Sequence, residues 1–296
     1  MSERAVVLSA PARVRMTAGF YADAWRRLRR NPAAMAGMAI VLLFALAALA
    51  APLIAPHDPI EQDLEGRLLP PSAKFLLGTD DLGRDLLSRI IYGGRTSLSV
   101  GIVSVGLALA IGTLLGLVAG FYGRWADSLT MRTMDIMLAF PATLLAIFIV
   151  GIRGPGLNNA MLAIGVINVP IFARIVRGSV LRVRQEDFVE AARALGASQG
   201  RLLRHHILPN ILAPVIVQST LGIGSAVLEA AGLSFLGLGA QAPTPEWGAM
   251  LTNTREFLRD APWAATFPGI AILLTVVGFN LLGDGLRDAL DPRLRQ

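Results

Sequence analysis

Six long stretches of this chain contain no Asp, Glu, Lys, Arg or His: residues 31–56, 96–123, 136–152, 154–173, 207–228 and 261–283. A helix rises about 1.5 Å per residue, so about 20 apolar residues cover a hydrocarbon core about 30 Å thick. Five of the six stretches reach 20 residues, and the third, with 17, meets the lower limit. In lipid each spanning segment must satisfy its own backbone N–H and C=O groups, which selects helices. The prediction is an all-α integral membrane protein with six transmembrane helices. Composition agrees: 16% of residues are charged, against about 25% for soluble domains. A further uncharged stretch, 230–245, has only 16 residues and is rich in Gly and Pro. It predicts a surface or re-entrant segment.

Charge sets the orientation. Of the 27 basic residues, 26 are Arg and the other is Lys74. Six crossings put 19 of them on the side of the termini and 8 on the other. The positive-inside rule then predicts both termini in the cytoplasm. A seventh crossing moves Arg287, Arg293 and Arg295 outside and weakens the bias. The first apolar stretch follows 30 residues and exceeds the length of a signal-peptide core, so it reads as a permanent span. Before it, Trp25-Arg26-Arg27-Leu28-Arg29-Arg30 reads as an interfacial anchor, with Trp at headgroup depth and Arg toward anionic lipid. The expected organisation is a cytoplasmic arm at 1–32, a six-span domain at 33–290 with a large cytoplasmic loop at about 178–209, and a tail at 291–296.

Several chemistries find no residues. The chain has no Cys, which removes disulfides and thiolate metal sites. Lys74 follows Pro-Pro-Ser-Ala, so there is no phosphate-cradling Gly-x-x-x-x-Gly-Lys loop. His205 and His206, adjacent on a helix, point about 100° apart, a poor start for a metal site. The high basic content belongs to the cytoplasmic loops and not to nucleic-acid binding. No enzyme activity and no metal are expected of this chain alone.

The 185–210 segment is the most informative. Asp187 and Glu190 form a capping-box-like start, and Phe188, Ala191, Ala192 and Leu195 make one apolar stripe. Gly196 suits a helix-ending C′ position, Ser198 caps a second helix, and Pro209 marks that helix off from the fifth span. Two short cytoplasmic helices need something to bury the stripe, either their own membrane domain or a partner.

Glu190-Ala191-Ala192, then Gly196, then Leu208-Pro209 resembles the EAA motif of ATP-binding-cassette importer permeases. His206 stands where the general pattern has an aliphatic residue, and the His-Ile-Leu-Pro-Asn form resembles the peptide and nickel branch. Arg29-Arg30-Asn31-Pro32, the Leu-Gly-Thr-Asp-Asp-Leu-Gly-Arg-Asp run at 77–85, the 233–239 segment and Glu246-Trp247-Gly248 extend the resemblance over nearly the whole chain. Together they resemble the C-type permease subunit of dipeptide, oligopeptide and nickel importers. The resemblance implies a type I importer permease fold in the bacterial inner membrane. It also implies that Glu190, Ala191, Ala192, Gly196, Leu208 and Pro209 couple to an ATPase. The implied partners are a second homologous permease, two ATPase subunits that bind ATP and Mg, and an external substrate-binding protein. This chain itself then needs no cofactor. Rival readings are a nickel-chelate or glutathione importer of the same branch, or a self-sufficient channel or ion-coupled carrier.

Other residues carry expectations of their own. Gly112, Gly116 and Gly120 form a small-residue face on the second span, suited to close helix packing. In the external 57–95 loop, Thr79 or Asp80 is expected to cap an amphipathic helix at 81–92, lying at the interface or meeting the binding protein. Asp135 opens the third span as an interfacial or capping carboxylate or as a pathway group. Glu229 lies about 28 Å along the fifth span, near the outer mouth. It must turn toward water, another helix or the partner, as a pathway or gate group or an interfacial carboxylate.

Overall fold

The computed structural model describes residues 18–290; the expectations for 1–17 of the arm and for the tail 291–296 fall outside the described residues. Twelve α-helices follow in order: α1 (Ala18–Arg30), α2 (Pro32–Leu49), α3 (Ala51–Ile54), α4 (Leu86–Tyr122), α5 (Arg124–Ala139), α6 (Ala142–Arg153), α7 (Leu157–Val183), α8 (Asp187–Ala194), α9 (Gln199–Arg201), α10 (Leu208–Phe235), α11 (Trp247–Thr254) and α12 (Trp263–Leu290). Among the described residues five helical runs are long and apolar enough to cross a membrane, and a bent pair, α5 with α6, makes up to six.

Asn31 starts the first of these. Its side-chain oxygen accepts from the N–H groups of Ala33 (3.1 Å) and Ala34 (3.2 Å), and Pro32 occupies the first turn. Both features fit a helix N-terminus, whose first N–H groups have no partner within the helix.

The second expected span is longer at its start than the charge pattern indicated. α4 runs for 37 residues from Leu86 to Tyr122, about 56 Å at helical rise. The separate helix expected at 81–92 is therefore corrected, as is its cap at Thr79 or Asp80. Asp85 is the cap, accepting from the Ser88 N–H at 2.8 Å and the Ser88 hydroxyl at 2.6 Å. Residues 81–85 form a turn, because Asp80 folds the chain back on itself: its Oδ1 accepts from the N–H groups of Leu82 (2.9 Å) and Arg84 (3.0 Å).

α4 packs along α7, with Gly112, Gly116 and Gly120 at the contact. A Cβ on Gly112 would lie 2.8 Å from the Val169 carbonyl oxygen, one on Gly116 2.8 Å from Val176 Cβ, and one on Gly120 2.8 Å from Val180 Cβ. The glycine face is thus filled by helix α7 of the same chain.

The third span is not a single rod. α5 and α6 meet at 91°, with Phe140 extended and Pro141 opening α6. Proline disfavours helical geometry in the residue before it, and that breaks the run. α6 has 12 residues, about 18 Å, and is too short to cross alone.

Pro209 was expected to separate a second loop helix from the fifth span, and this too is corrected. Helix runs without interruption over Gln199–Phe235. Residues 202–207 are wound as a π-helix, and Pro209 stands in the first turn of α10 directly behind them. Its missing N–H coincides with a change of hydrogen-bond register, so no break is needed.

Beyond α10 the chain re-enters the bundle. Gly237 takes φ 76°, and the peptide before Pro243 is cis. Glu246 then caps α11, which packs against α10 and α12 with Trp247 fully buried. Residues 230–235 complete α10, and the rest of the 230–245 stretch is turns and irregular chain, exposed over 241–244.

Candidate functional site

The chain leaves α7 at Val183 and turns directly into α8. Gln185 donates its N–H to Arg182 O and Glu186 to Val183 O. This tight turn makes Glu186 the N-cap, with no side-chain cap bond, so the Asp187–Glu190 capping box is corrected. Asp187 and Glu190 instead stand in the first turn of α8, where their charge complements the helix dipole.

α8 ends as the glycine position predicts. Gly196 has φ 81°, its N–H bonds Arg193 O at 3.0 Å, and the Ala197 N–H bonds Ala192 O at 3.0 Å. These two bonds are a Schellman motif, which only a residue tolerant of left-handed geometry closes without strain. Ser198 caps α9 by accepting from the Arg201 N–H.

Of the expected stripe only Ala192 turns inward, and the residue that fixes α8 is Val189, which lies outside that stripe. Val189 is fully buried and Ala192 partly so, against Leu202, Ile207, Val180 and Val183. Leu195 (89% exposed) faces away from the bundle, Ala191 and Glu190 are exposed beside it, and Phe188 (43%) stays part-exposed with its ring 6.3 Å from that of His206. One side of α8 therefore fastens it to the membrane domain, and the other presents an uncovered apolar strip edged with charge.

Leu208, of the same motif, also lines a groove of about 600 Å³ between α4 and α10. Its wall includes the apolar Leu109, Leu114, Ile211, Leu212 and Ile216 together with the hydroxyl-bearing Thr113, Ser219 and Thr220. Ser219 and Thr220 donate to the carbonyls of Val215 and Ile216 four residues back, so the wall is apolar in character despite its hydroxyls. The groove shares one continuous helical run, Gln199–Phe235, with α9, and the Gly196 turn separates that run from α8.

Glu229 turns to a neighbouring helix. Its Oε2 accepts from Asn168 Nδ2 of α7 at 2.9 Å, and the same amide nitrogen donates to Ile164 O at 2.9 Å. Asp135 does not open a span; it lies toward the end of α5, half-exposed, and pairs with Arg174 of α7 at 2.6 Å. The break at Pro141, absent from the sequence reading, is the reason for this correction. One ladder rung away, Asp127 holds Arg177 in a two-pronged pair, with Nη2 to Oδ2 at 2.7 Å. Asp135 and Glu229 are thus in separate ion-pair or amide contacts with α7 and do not meet each other.

Sequence reasoning missed three groups. Asn168 carried a signal, being a strong hydrogen-bonding side chain in an otherwise apolar stretch. Glu246 is 1% exposed and accepts from the N–H groups of Gly248 (2.9 Å) and Ala249 (2.8 Å) and the Ser97 hydroxyl (3.2 Å). The third is a charge knot ahead of α4: Arg84 Nε bonds Asp80 Oδ2 at 2.7 Å, Arg89 Nε lies 3.3 Å from the same oxygen, and Arg89 Nη1 donates to Pro59 O. Beside it, burial and the charge of Asp80 push the Asp81 carboxyl above its ordinary value. The 77–85 motif therefore builds a hydrogen-bonded turn at the start of α4.

A bundle of apolar helices with an exposed short helix braced on it defines a polytopic membrane protein. The comparisons agree: residues 112–296 match the binding-protein-dependent transport system inner membrane component family, and residues 19–71 match the N-terminal transmembrane domain of oligopeptide transport permease C. The chain belongs to that family, as a C-type permease of its dipeptide, oligopeptide and nickel branch. It is 55% identical to the dipeptide transport system permease protein of Alkalihalophilus pseudofirmus, covering 92% of this chain and 90% of that one. It is 50% identical to the di/tripeptide transport system permease protein of Pseudomonas aeruginosa, over 92% and 91%. A glutathione transport system permease protein of Pectobacterium atrosepticum is 49% identical, over 92% and 90%. Among solved structures, an inward-facing MetNI methionine ABC transporter chain aligns with TM-score 0.57 at 18% identity, covering 70% of this chain and 98% of that chain. That likeness is one of fold.

Proposed function

We propose that the chain is a transmembrane permease subunit of an ATP-driven importer for dipeptides or oligopeptides. It forms half of the translocation pathway beside a second homologous permease. The assembly has two ATPase subunits, holding ATP and Mg, one of which docks on the α8 face of this chain, and an external binding protein delivers the solute. Both termini face the cytoplasm, and the assembly sits in the bacterial inner membrane. The chain contributes no catalytic residue and no cofactor site.

One observation carries this reading: α8 is braced by Val189 and Ala192 while Ala191 and Leu195 stay uncovered. An apolar strip held rigidly at the end of a membrane bundle is a surface prepared for a partner. Glu190, Gly196, Leu208 and Pro209 complete the coupling segment, with the α4–α10 groove and Glu229 as pathway candidates. Membership of a binding-protein-dependent family supports this over a self-sufficient carrier.

The glutathione-transport relative supports a second solute, itself a small peptide. The discriminating experiment is uptake of a labelled dipeptide by the complete complex in proteoliposomes, with unlabelled glutathione or a nickel chelate as competitor. Saturable ATP-dependent dipeptide uptake that resists both competitors supports the peptide reading. Uptake of glutathione or nickel chelate in its place overturns it.

A further inference from the structure

α1 carries four arginines in its last five residues: Arg26, Arg27, Arg29 and Arg30. At about 100° per residue these four occupy an arc of about 160°, and Leu28 falls opposite its centre. Leu28 is buried against Ala34 of α2 and Ala289 of α12, with Ala24 packed beside it. The contact fixes how α1 is rolled. With Leu28 turned into the protein, Arg26, Arg29 and Arg30 are exposed on the far side and Arg27 is partly so.

Two further observations say what covers this arc. α1 ends at Arg30 and α2 begins at Pro32, so the arginines stand within a turn or two of the point where the chain enters the hydrocarbon. α2 itself exposes Leu42, Leu43, Leu46 and Leu49, which is a lipid-facing side. Trp25, 42% exposed, flanks the arc, and the Arg29 guanidinium lies 4.6 Å from its ring centroid. A Trp–Arg pair at such a boundary has one part suited to the acyl edge and one to a phosphate. Asp23, the one acid of α1, lies 3.7 Å from Arg26 and offsets only part of the charge.

We propose that the Arg26–Arg27–Arg29–Arg30 arc of α1 is a binding surface for anionic phospholipid headgroups, which hold α1 against α12 through Leu28. The shared chemistry is a phosphate monoanion or diester met by guanidinium forks; the source to which the geometry commits is the membrane leaflet. This goes beyond the importer reading, which makes no use of α1.

The test uses the complete complex, released from mixed phosphatidylglycerol and phosphatidylcholine bilayers, with bound lipids counted by native mass spectrometry. Each basic residue near an anionic surface contributes about fivefold to binding. A complex with R26Q, R29Q and R30Q together is expected to lose more than tenfold of its phosphatidylglycerol preference, while R26K, R29K and R30K together retain it. The control R124Q with R132Q, two exposed arginines on α5, is expected to keep the preference. No phosphatidylglycerol preference in the parental complex overturns the proposal, whether or not the glutamine variant assembles. Equal loss in variant and control overturns it as well. Displacement of the lipid by millimolar inorganic phosphate, or loss of ATPase subunits with lipid retention unchanged, reassigns the arc to a soluble anion or a protein partner and likewise overturns it.

Discussion

Asn168 donates its side-chain amide to Glu229 across 2.9 Å, tying α7, which leads into the α8–α9 segment, to α10, which leads out of it. Removing one partner of a hydrogen bond to a charged group strands the other, at a cost of about 1.5–3 kcal/mol. Asn168→Ala is therefore expected to lower the thermal midpoint of the complex. Glu229→Gln in the same background is expected to recover much of the loss, since a neutral amide is less costly to leave unpaired. A thermal-shift series on the two single variants and the double variant checks this.

Charge at Glu229 is also expected to matter for transport. Glu229→Asp should keep more activity than Glu229→Gln when uptake and ATPase stimulation by loaded binding protein are compared. Parental rates in both, and in Glu229→Ala, mean that the residue only braces α7.

Gly116 and Gly106 lie on the same helix in opposite surroundings. A Cβ at Gly116 would sit 2.8 Å from Val176 Cβ, whereas nothing lies within 4 Å of one at Gly106. Gly116→Val should force α4 from α7 and destabilise by about 1–3 kcal/mol or more. Gly106→Ala should be neutral or slightly stabilising through its helix propensity. Yield and thermal midpoint of the two purified variants provide the comparison.

Around Gly196 there is open space, so its requirement is conformational and not steric: φ is 81° and nothing lies within 4 Å of an added Cβ. Gly196→Val is expected to strain the Schellman turn by about 1 kcal/mol or more while the spans stay inserted. Gly196→Asn, which tolerates left-handed geometry, should retain most ATPase association. Pull-down of the ATPase subunits with each variant measures this.

Asp80 and Asp81 are adjacent but should respond oppositely to neutralisation. Asp80 is held by Arg84 and Arg89, and breaking such a buried pair costs about 3–5 kcal/mol. Asp81 has its carboxyl raised by burial and by Asp80. Its folded pKa exceeds the unfolded one, so its stabilising contribution is fully present below the ordinary carboxylate range and is lost as pH rises through the raised value. Asp80→Asn should destabilise at pH 7. Asp81→Asn should be neutral or stabilising there and should flatten the acid side of the stability profile. Thermal midpoints between pH 4 and pH 8 test both signs.

The spans were legible because uncharged runs of spanning length have few alternatives in lipid. Gly196, Ser198 and the glycine face were legible for a related reason: each depends on a local backbone requirement or on the absence of a side chain. The rest turned on competition between local signals and packing. Pro141 broke a span within an apolar run, while Pro209 broke nothing because a π-turn absorbed it. Asp85, not Thr79 or Asp80, capped α4, since Asp80 was already engaged with Arg84 and Arg89. Asn168–Glu229 and Ser97–Glu246 join residues far apart in sequence, and no spacing rule connects them.

The proposed importer subunit acts only as part of an ATP-driven assembly. The most direct measurement is labelled-dipeptide uptake into liposomes holding either the complete complex or this chain alone, with and without ATP and loaded binding protein. The expected result is uptake against a gradient by the complex with both ATP and binding protein, and none by the isolated chain under any condition. ATP-independent dipeptide uptake by the isolated chain at the rate of the complex would contradict it.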